Sequence, residues 1–325
     1  MNKALLIFLG ILFSISGFAQ FNLNKKVTVS GLSSGAYMAG QVLIGHSSLV
    51  EGAAIIAGGP YYCSDGKLNT AMFACMETYL QSRTPAQLAD ITLKLASENY
   101  IDPVANLKSA KAYILAGKQD RTVSPKVTLQ NIEYFQILGL SKLQWNNKLN
   151  AGHNFPTLNQ GSSCSSTESP FIGNCNFDVA GQFLNLFYPN LKTKSKNLKA
   201  NYYRFRQPDA ISMASEGVAY IPKQCLEGQA CKMHLSFHGC KQAESYIGAN
   251  YYTRVGINEW ANSNDIVVVY PQAVKYGFDN PNACWDWWGY SGKDFAFKSG
   301  SQMKAVKQII LAFQNNQIQL KRAFK

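Results

Sequence analysis

The chain has 325 residues, 46% of them hydrophobic and only 15% charged, with a formal net charge of +12. That hydrophobic content excludes an intrinsically disordered chain, and the length allows a core that hides roughly three quarters of the unfolded surface. The positive balance comes without a zinc-finger, helix-turn-helix or aromatic-glycine RNA motif, so nucleic acid is not the expected partner.

In chain order, residues 1–19 read as a cleavable signal peptide. Lys3 supplies the positive start, an apolar run follows, and Gly17-Phe18-Ala19 forms a small-x-small cleavage site before Gln20. The run carries Ser14 and Ser16 and falls short of the roughly 20 apolar residues that span a bilayer. A secreted or periplasmic protein with no transmembrane segment is expected. In an exported chain the eight cysteines read as disulfides rather than metal ligands. There is no Cys-x-x-Cys pair, and only four histidines accompany them, so no metal is expected. Eight cysteines allow about 105 connectivities. Nearest-neighbour pairing makes the shortest staples and is the expectation: Cys63 with Cys75, Cys164 with Cys175, Cys225 with Cys231, and Cys240 with Cys284.

Residues 26–30 are rich in β-branched side chains and predict a strand. It runs into Gly31-Leu32-Ser33-Ser34-Gly35 and then a small-residue helix start, with the helix predicted over 36–44. Strand, Gly-x-Ser-x-Gly, helix is the pattern of a nucleophile elbow, in which Ser33 is pushed out on a tight turn. A strand at 52–57 and a helix at 85–98 follow, the latter with Thr84 as cap and Pro85 in its first turn.

A serine needs a base, and the base needs a carboxylate to orient it, in the chain order Ser, acid, His. The predicted strand 112–116 ends in Gly117-Lys118-Gln119-Asp120, which puts Asp120 on the loop where the acid belongs. Asp102 is the main competitor, but it precedes that strand. After a helix at 127–138 and a strand at 142–148 comes Gly152-His153, a loop-borne histidine suited to be the base. His46 precedes Asp120, and His234 lies inside a predicted strand.

A helix at 179–187 leads to the polar, basic stretch 192–199, read as a surface linker. Beyond it, strands are predicted at 202–206, 218–221, 233–238 and 265–270, and helices at 252–263 and 302–315. The alternation argues for one α/β domain over 20–325 with a mostly parallel sheet flanked by helices. The strand at 233–238 ends in Phe237-His238-Gly239-Cys240, the kind of loop that supplies an oxyanion-hole amide. Such a loop ordinarily precedes the elbow, whereas here it lies far downstream. Circular permutation is the simplest account, and it predicts that the strands 26–30 and 233–238 share one sheet. Ser34, next to the nucleophile, would give the other amide. Further on, Cys284-Trp285-Asp286-Trp287-Trp288 concentrates aromatic surface suited to holding an apolar chain.

Taken jointly, Gly31-Leu32-Ser33-Ser34-Gly35-Ala36, Gly117-Lys118-Gln119-Asp120, Gly152-His153, Phe237-His238-Gly239-Cys240 and Cys284-Trp285-Asp286-Trp287-Trp288 resemble the single-domain, circularly permuted poly(3-hydroxybutyrate) depolymerases. These are in turn similar to the feruloyl and acetylxylan esterases. The resemblance runs over nearly the whole mature chain. It implies a circularly permuted α/β-hydrolase with Ser33, Asp120 and His153 as the triad. It also implies amides of Ser34 and Cys240 in the oxyanion hole, and a tryptophan among Trp285, Trp287 and Trp288 beside the substrate. The expected protein is a monomeric, cofactor-free serine esterase acting on polyester or oligoester of short 3-hydroxy acids. An esterase of the feruloyl or acetylxylan type and an exported non-catalytic binding protein are the rival readings.

Overall fold

The computed structural model describes residues 20–196, 198 and 201–323. The expected signal peptide at 1–19 lies outside the described residues. Ten strands form the main sheet: β1 (Asn22–Leu23), β2 (Val27–Leu32), β3 (Val50–Ile56), β4 (Lys111–Leu115), β5 (Lys142–Asn146) and, past the small strands β6 (Phe155–Thr157), β7 (Ser162–Ser163) and β8 (Ile172–Asn174), β9 (Tyr202–Arg206), β10 (Glu216–Tyr220), β11 (Ala230–Phe237), β12 (Ile266–Tyr270) and β13 (Leu320–Arg322). The main order is β13-β9-β10-β12-β11-β2-β3-β4-β5, with β1 paired to β11, while β6, β8 and β7 make a separate small sheet.

The centre is parallel. β12, β11, β2, β3, β4 and β5 run side by side in one direction, whereas β9, β10 and β13 pair antiparallel at one end. The fold is therefore α/β with a mostly parallel sheet. β11 lies directly against β2, with Phe237 opposite Gly31, and β12 lies on its far side. Strands from the two ends of the chain thus share one sheet, as permutation requires.

Alternation along each strand feeds two cores. Val29, Ala53, Ile55, Ile114, Leu235 and Val267 face one layer, which holds the helices Pro85–Ser97, Pro125–Ile137 and Ser301–Gln314 together with α1 (Ser34–Gly45). Ala54, Ile56, Tyr113, Leu115, Val268 and Tyr270 face the other, under the helix Val179–Phe187 and the segment 250–263. With both faces covered, the central strands β2, β3, β4 and β12 are almost wholly buried, which is why they read as near-continuous apolar runs, while the edge strand β5 stays largely exposed. The Thr84 cap is present as a full capping box with Gln87.

One expectation is corrected. The single helix at 252–263 is two short ones, Asn250–Arg254 and Ile257–Ser263, because Gly256 sits at φ 78° and breaks the hydrogen-bond ladder. The second core is also not wholly apolar. On its face Thr28, Ser30, His234 and Ser236 form a buried polar ladder, with His234 Nδ1 2.7 Å from Thr28 Oγ1 and Nε2 2.8 Å from Ser30 Oγ. The linker begins along the helix Ile257–Ser263, where Asn264 Oδ1 accepts from the Lys192 amide, the Ser195 amide donates to the Glu259 carbonyl, and Lys194 pairs with Asp178. No helix among the described residues is long and apolar enough to cross a membrane.

Candidate active site

Every loop that matters leaves the C-terminal end of a parallel strand: the elbow after β2, the Asp120 loop after β4, the His153 loop after β5 and the His238 loop after β11. In open α/β sheets that edge is where a crevice forms.

The elbow is built by close approach. A side chain on Gly31 would put its Cβ 2.1 Å from the Gly35 carbonyl oxygen, and one on Gly35 would put it 2.2 Å from that of Phe237. No residue but glycine fits either place. The turn forces Ser33 to φ 58° and ψ −124°, a region that costs a non-glycine residue about 1–3 kcal/mol. Its amide donates to Ile56 O at 3.0 Å, and its carbonyl accepts from Ala36 and Tyr37, so the strained conformation is held from both sides. Ser34 is the first residue of α1, so its amide has no carbonyl one turn back to reach.

Asp120 and His153 come together in a buried pair, each 6% exposed, with Asp120 Oδ2 2.8 Å from His153 Nδ1. The other carboxylate oxygen, Oδ1, accepts from the amides of Thr122 and Val123, both at 2.9 Å. A carboxylate can only accept, so Nδ1 carries the proton and Nε2 presents its lone pair. The two loops are laced by backbone bonds, Lys118 N to Leu149 O and Gln119 N to Ala151 O, each 2.9 Å. Asp102 lies elsewhere. Its amide donates to Gly45 O at the far end of α1, about 16 Å of helix from Ser33. His46 caps that same end and contacts the Met303 carbonyl.

Ser33 and His153 line one cavity of about 520 Å³, together with Gly239, Cys240, Cys284, Trp287 and Trp288. Gly239 packs against Ser33 closely enough that a Cβ there would lie 3.3 Å from Ser33 Cβ. His238 is fully buried, with Nδ1 2.7 Å from Gly239 O and Nε2 accepting the Ala273 amide at 3.1 Å. Burial lowers its pKa to about 4, so it stays a neutral Nδ1 donor. A trans peptide points its C=O and N–H opposite ways, so pinning the Gly239 carbonyl turns the Cys240 N–H away from His238.

The four disulfides join Cys63 to Cys75, Cys164 to Cys175, Cys225 to Cys231 and Cys240 to Cys284. The last ties the His238 loop to the tryptophan loop. Trp287 stacks on Tyr37 at 4.0 Å between ring centroids, and Trp288 abuts it edge-on. Trp285 departs from expectation. It is fully buried, packed against the rings of Phe237 and His238 and outside the cavity wall. Asp286, also buried, accepts from the amides of Gly289, Tyr290 and Ser291 and from the Ser291 hydroxyl, which fixes the loop. Burial pushes its carboxyl up despite those donors.

Several contributors gave no motif. Leu68, Met72 and Met76 form one wall and Phe278 the rim, Phe278 fully exposed at the tip of a turn. The Cys63–Cys75 spacing was the available sign of a stapled wall. Among the described residues no group of three or more His, Cys, Asp or Glu could hold a metal ion.

The chain and its fold are similar to known proteins. The chain is 36% identical to a polyhydroxybutyrate depolymerase of Talaromyces funiculosus, covering 90% of this chain and 92% of the relative. The chain belongs to the polyhydroxybutyrate depolymerase family. It is also 36% identical to a poly(3-hydroxybutyrate) depolymerase of Delftia acidovorans over 88% of its length, but spans only 59% of that relative. The crystal structure of the PHB depolymerase from Penicillium funiculosum superposes with a TM-score of 0.85 at 32% identity, over 92% of this chain and 99% of that one. A serine-to-alanine PHB depolymerase complexed with an R3HB trimer matches equally well. No family model matches the chain.

Proposed function

We propose that this protein is a secreted serine esterase that hydrolyses poly(3-hydroxybutyrate) or short-chain 3-hydroxyalkanoate oligoesters through an acyl-enzyme. The observation that carries the reading is the buried Asp120–His153 pair facing the same cavity as a serine held on a strained elbow. His153 Nε2 takes the Ser33 hydroxyl proton as Oγ attacks the ester carbonyl. The amides of Ser34 and Cys240 receive the oxyanion, and the protonated His153 returns its proton to the departing hydroxyl oxygen. Water then gives its proton to Nε2 and attacks the acyl-enzyme, releasing the hydroxy acid and restoring Ser33. Asp120 holds the tautomer throughout. Nothing in these steps calls for a cofactor or metal.

The cavity suits such a substrate, since apolar surface makes up most of its wall, with polar side chains such as Thr122, Thr167, Lys241, Asp279 and Asn282 set into it. The relative in complex with an R3HB trimer supports the same substrate class. Four disulfides fit an oxidising destination, and the signal peptide, single catalytic domain over 20–325 and monomeric state belong to the same proposal. Exposed Leu68, Met72 and Phe278 at the mouth offer apolar surface to a solid polyester.

Clearing of poly(3-hydroxybutyrate) suspensions, measured beside p-nitrophenyl butyrate, feruloyl and acetylxylan substrates, tests this. Release of soluble 3-hydroxybutyrate is expected. Turnover of the feruloyl or acetylxylan ester with an inert polyester and oligoester would replace the substrate, and no turnover of any ester would end the enzyme reading.

A further inference from the structure

We infer that Gln242 is a positioning residue that holds the oxyanion amide of Cys240 in register with the loop carrying His153. The inference rests on the proposed roles of Ser33, His153 and Cys240. Gln242 is 1% exposed and uses both ends of its side chain. Oε1 accepts the Gly239 amide at 2.7 Å, while Nε2 donates to Pro170 O at 2.9 Å and Phe171 O at 3.0 Å. Its own backbone amide adds a bond to Gly239 O at 3.2 Å, the oxygen that His238 Nδ1 already contacts.

Both sides of Gly239 are therefore gripped. Its amide ends on the Gln242 side chain, and its carbonyl on His238 and the Gln242 backbone. The Gly239–Cys240 peptide plane has no freedom to rotate, and the Cys240 N–H direction follows from it.

The other end of Gln242 matters as much. Pro170 and Phe171 belong to the segment stapled by Cys164–Cys175, and that segment also grips the base. Thr167 Oγ1 accepts the His153 amide at 2.9 Å, and Cys164 O accepts the Gly152 amide at 2.8 Å. One buried amide thus connects two loops that lie far apart in the chain, one bearing an oxyanion donor and the other the base. Only an amide suits the place, because one end must accept from an N–H and the other must donate to two carbonyls.

A group that aims a donor at developing charge acts on the transition state and hardly on bound substrate. Gln242→Leu should lower kcat on p-nitrophenyl butyrate roughly 10- to 100-fold, less than outright loss of an oxyanion donor, with KM within about twofold. The inhibition constant of an alkyl boronic acid, whose tetrahedral serine adduct uses the same amides, should rise by the same factor. Gln242→Glu, which is isosteric, keeps the acceptor for Gly239 but turns an oxygen toward the Pro170 and Phe171 carbonyls. It should show the same pattern and decides the matter if the leucine variant does not fold. A folded variant with kcat and boronic acid affinity within twofold of the parent, or one impaired through KM alone, overturns the inference. Failure of the underlying site reading is separate: there, the unaltered protein would resist the boronic acid, or Ser33→Ala would keep its activity.

Discussion

Ser33 and Ser34 are neighbours with opposite chemical demands. In the proposed mechanism Ser33 offers its side chain and Ser34 its backbone amide, and the Ser34 hydroxyl is buried with no hydrogen-bond partner. Ser33→Ala should cost at least roughly 10³-fold in kcat/KM on p-nitrophenyl butyrate with an unchanged melting temperature. Ser34→Ala should instead stay within about threefold of the parent, because the amide survives the substitution and an unpaired hydroxyl is removed. A Ser34→Ala enzyme as dead as Ser33→Ala would assign the second serine a side-chain role and contradict this division. The His153 ring is oriented by Asp120, whose two oxygens are spoken for by Nδ1 and two amides.

Among the elements, the loop after β11 and the tryptophan loop act as one piece through Cys240–Cys284, the longest of the four closures at 44 residues. By chain-entropy reasoning such a closure contributes about 4 kcal/mol, an upper figure that native strain reduces. Cys284→Ser should therefore lower the melting temperature. Below that temperature the folded variant should still lose activity, since the Cys240 amide and the Trp287–Trp288 wall are no longer tied. Equal fractional loss of activity and of folded protein along a thermal scan would reduce the bond to a general staple.

For the whole molecule, burial shapes the response to acid. Burial lowers His234 to about 3 and His238 to about 4, so both stay neutral in the fold well into acid, and it lowers His46 as well. In the unfolded chain they titrate near the ordinary value of roughly 6.5. Between that value and the folded ones, the unfolded state binds more protons, so stability is complete above about pH 6.5 and falls as the pH drops. Each histidine adds a slope of up to about 1.4 kcal/mol per pH unit. Melting temperatures should decline steadily from pH 7 to pH 4.5, and a flat profile would show that these rings protonate without unfolding. In the proposed reading, attack on solid polymer depends on the outer surface. Phe278→Ser should slow clearing of a polyester suspension several-fold and leave p-nitrophenyl butyrate turnover unchanged. Equal losses on both substrates would place Phe278 inside the reaction rather than at its rim.

Local chemistry made part of this protein readable from its sequence alone. A β-branched run into Gly31-Leu32-Ser33-Ser34-Gly35 has few ways to fold, because each glycine answers a backbone approach too close for a Cβ. The main strands followed from short, near-continuous apolar runs, as expected under covered faces, and the Asp120 and His153 loops from their places after strands. Nearest-neighbour disulfides followed from mostly short closures, Cys240–Cys284 being the long one. What the sequence could not determine depended on partners remote in the chain. Trp285, Trp287 and Trp288 look alike in a row, and only packing decided that Trp285 supports the His238 loop while the other two face the cavity. The break at Gly256 was hidden because a glycine in a helical pattern is tolerated until its neighbours demand a left-handed turn. His234 read as a stray polar residue in a strand, but pairing β2 beside β11 gave both its nitrogens partners. Gln242 carried no signal at all, since its three acceptor and donor groups come from Gly239, Pro170 and Phe171. Those contacts exist only once permuted strands bring the oxyanion loop and the base loop to the same edge of the sheet.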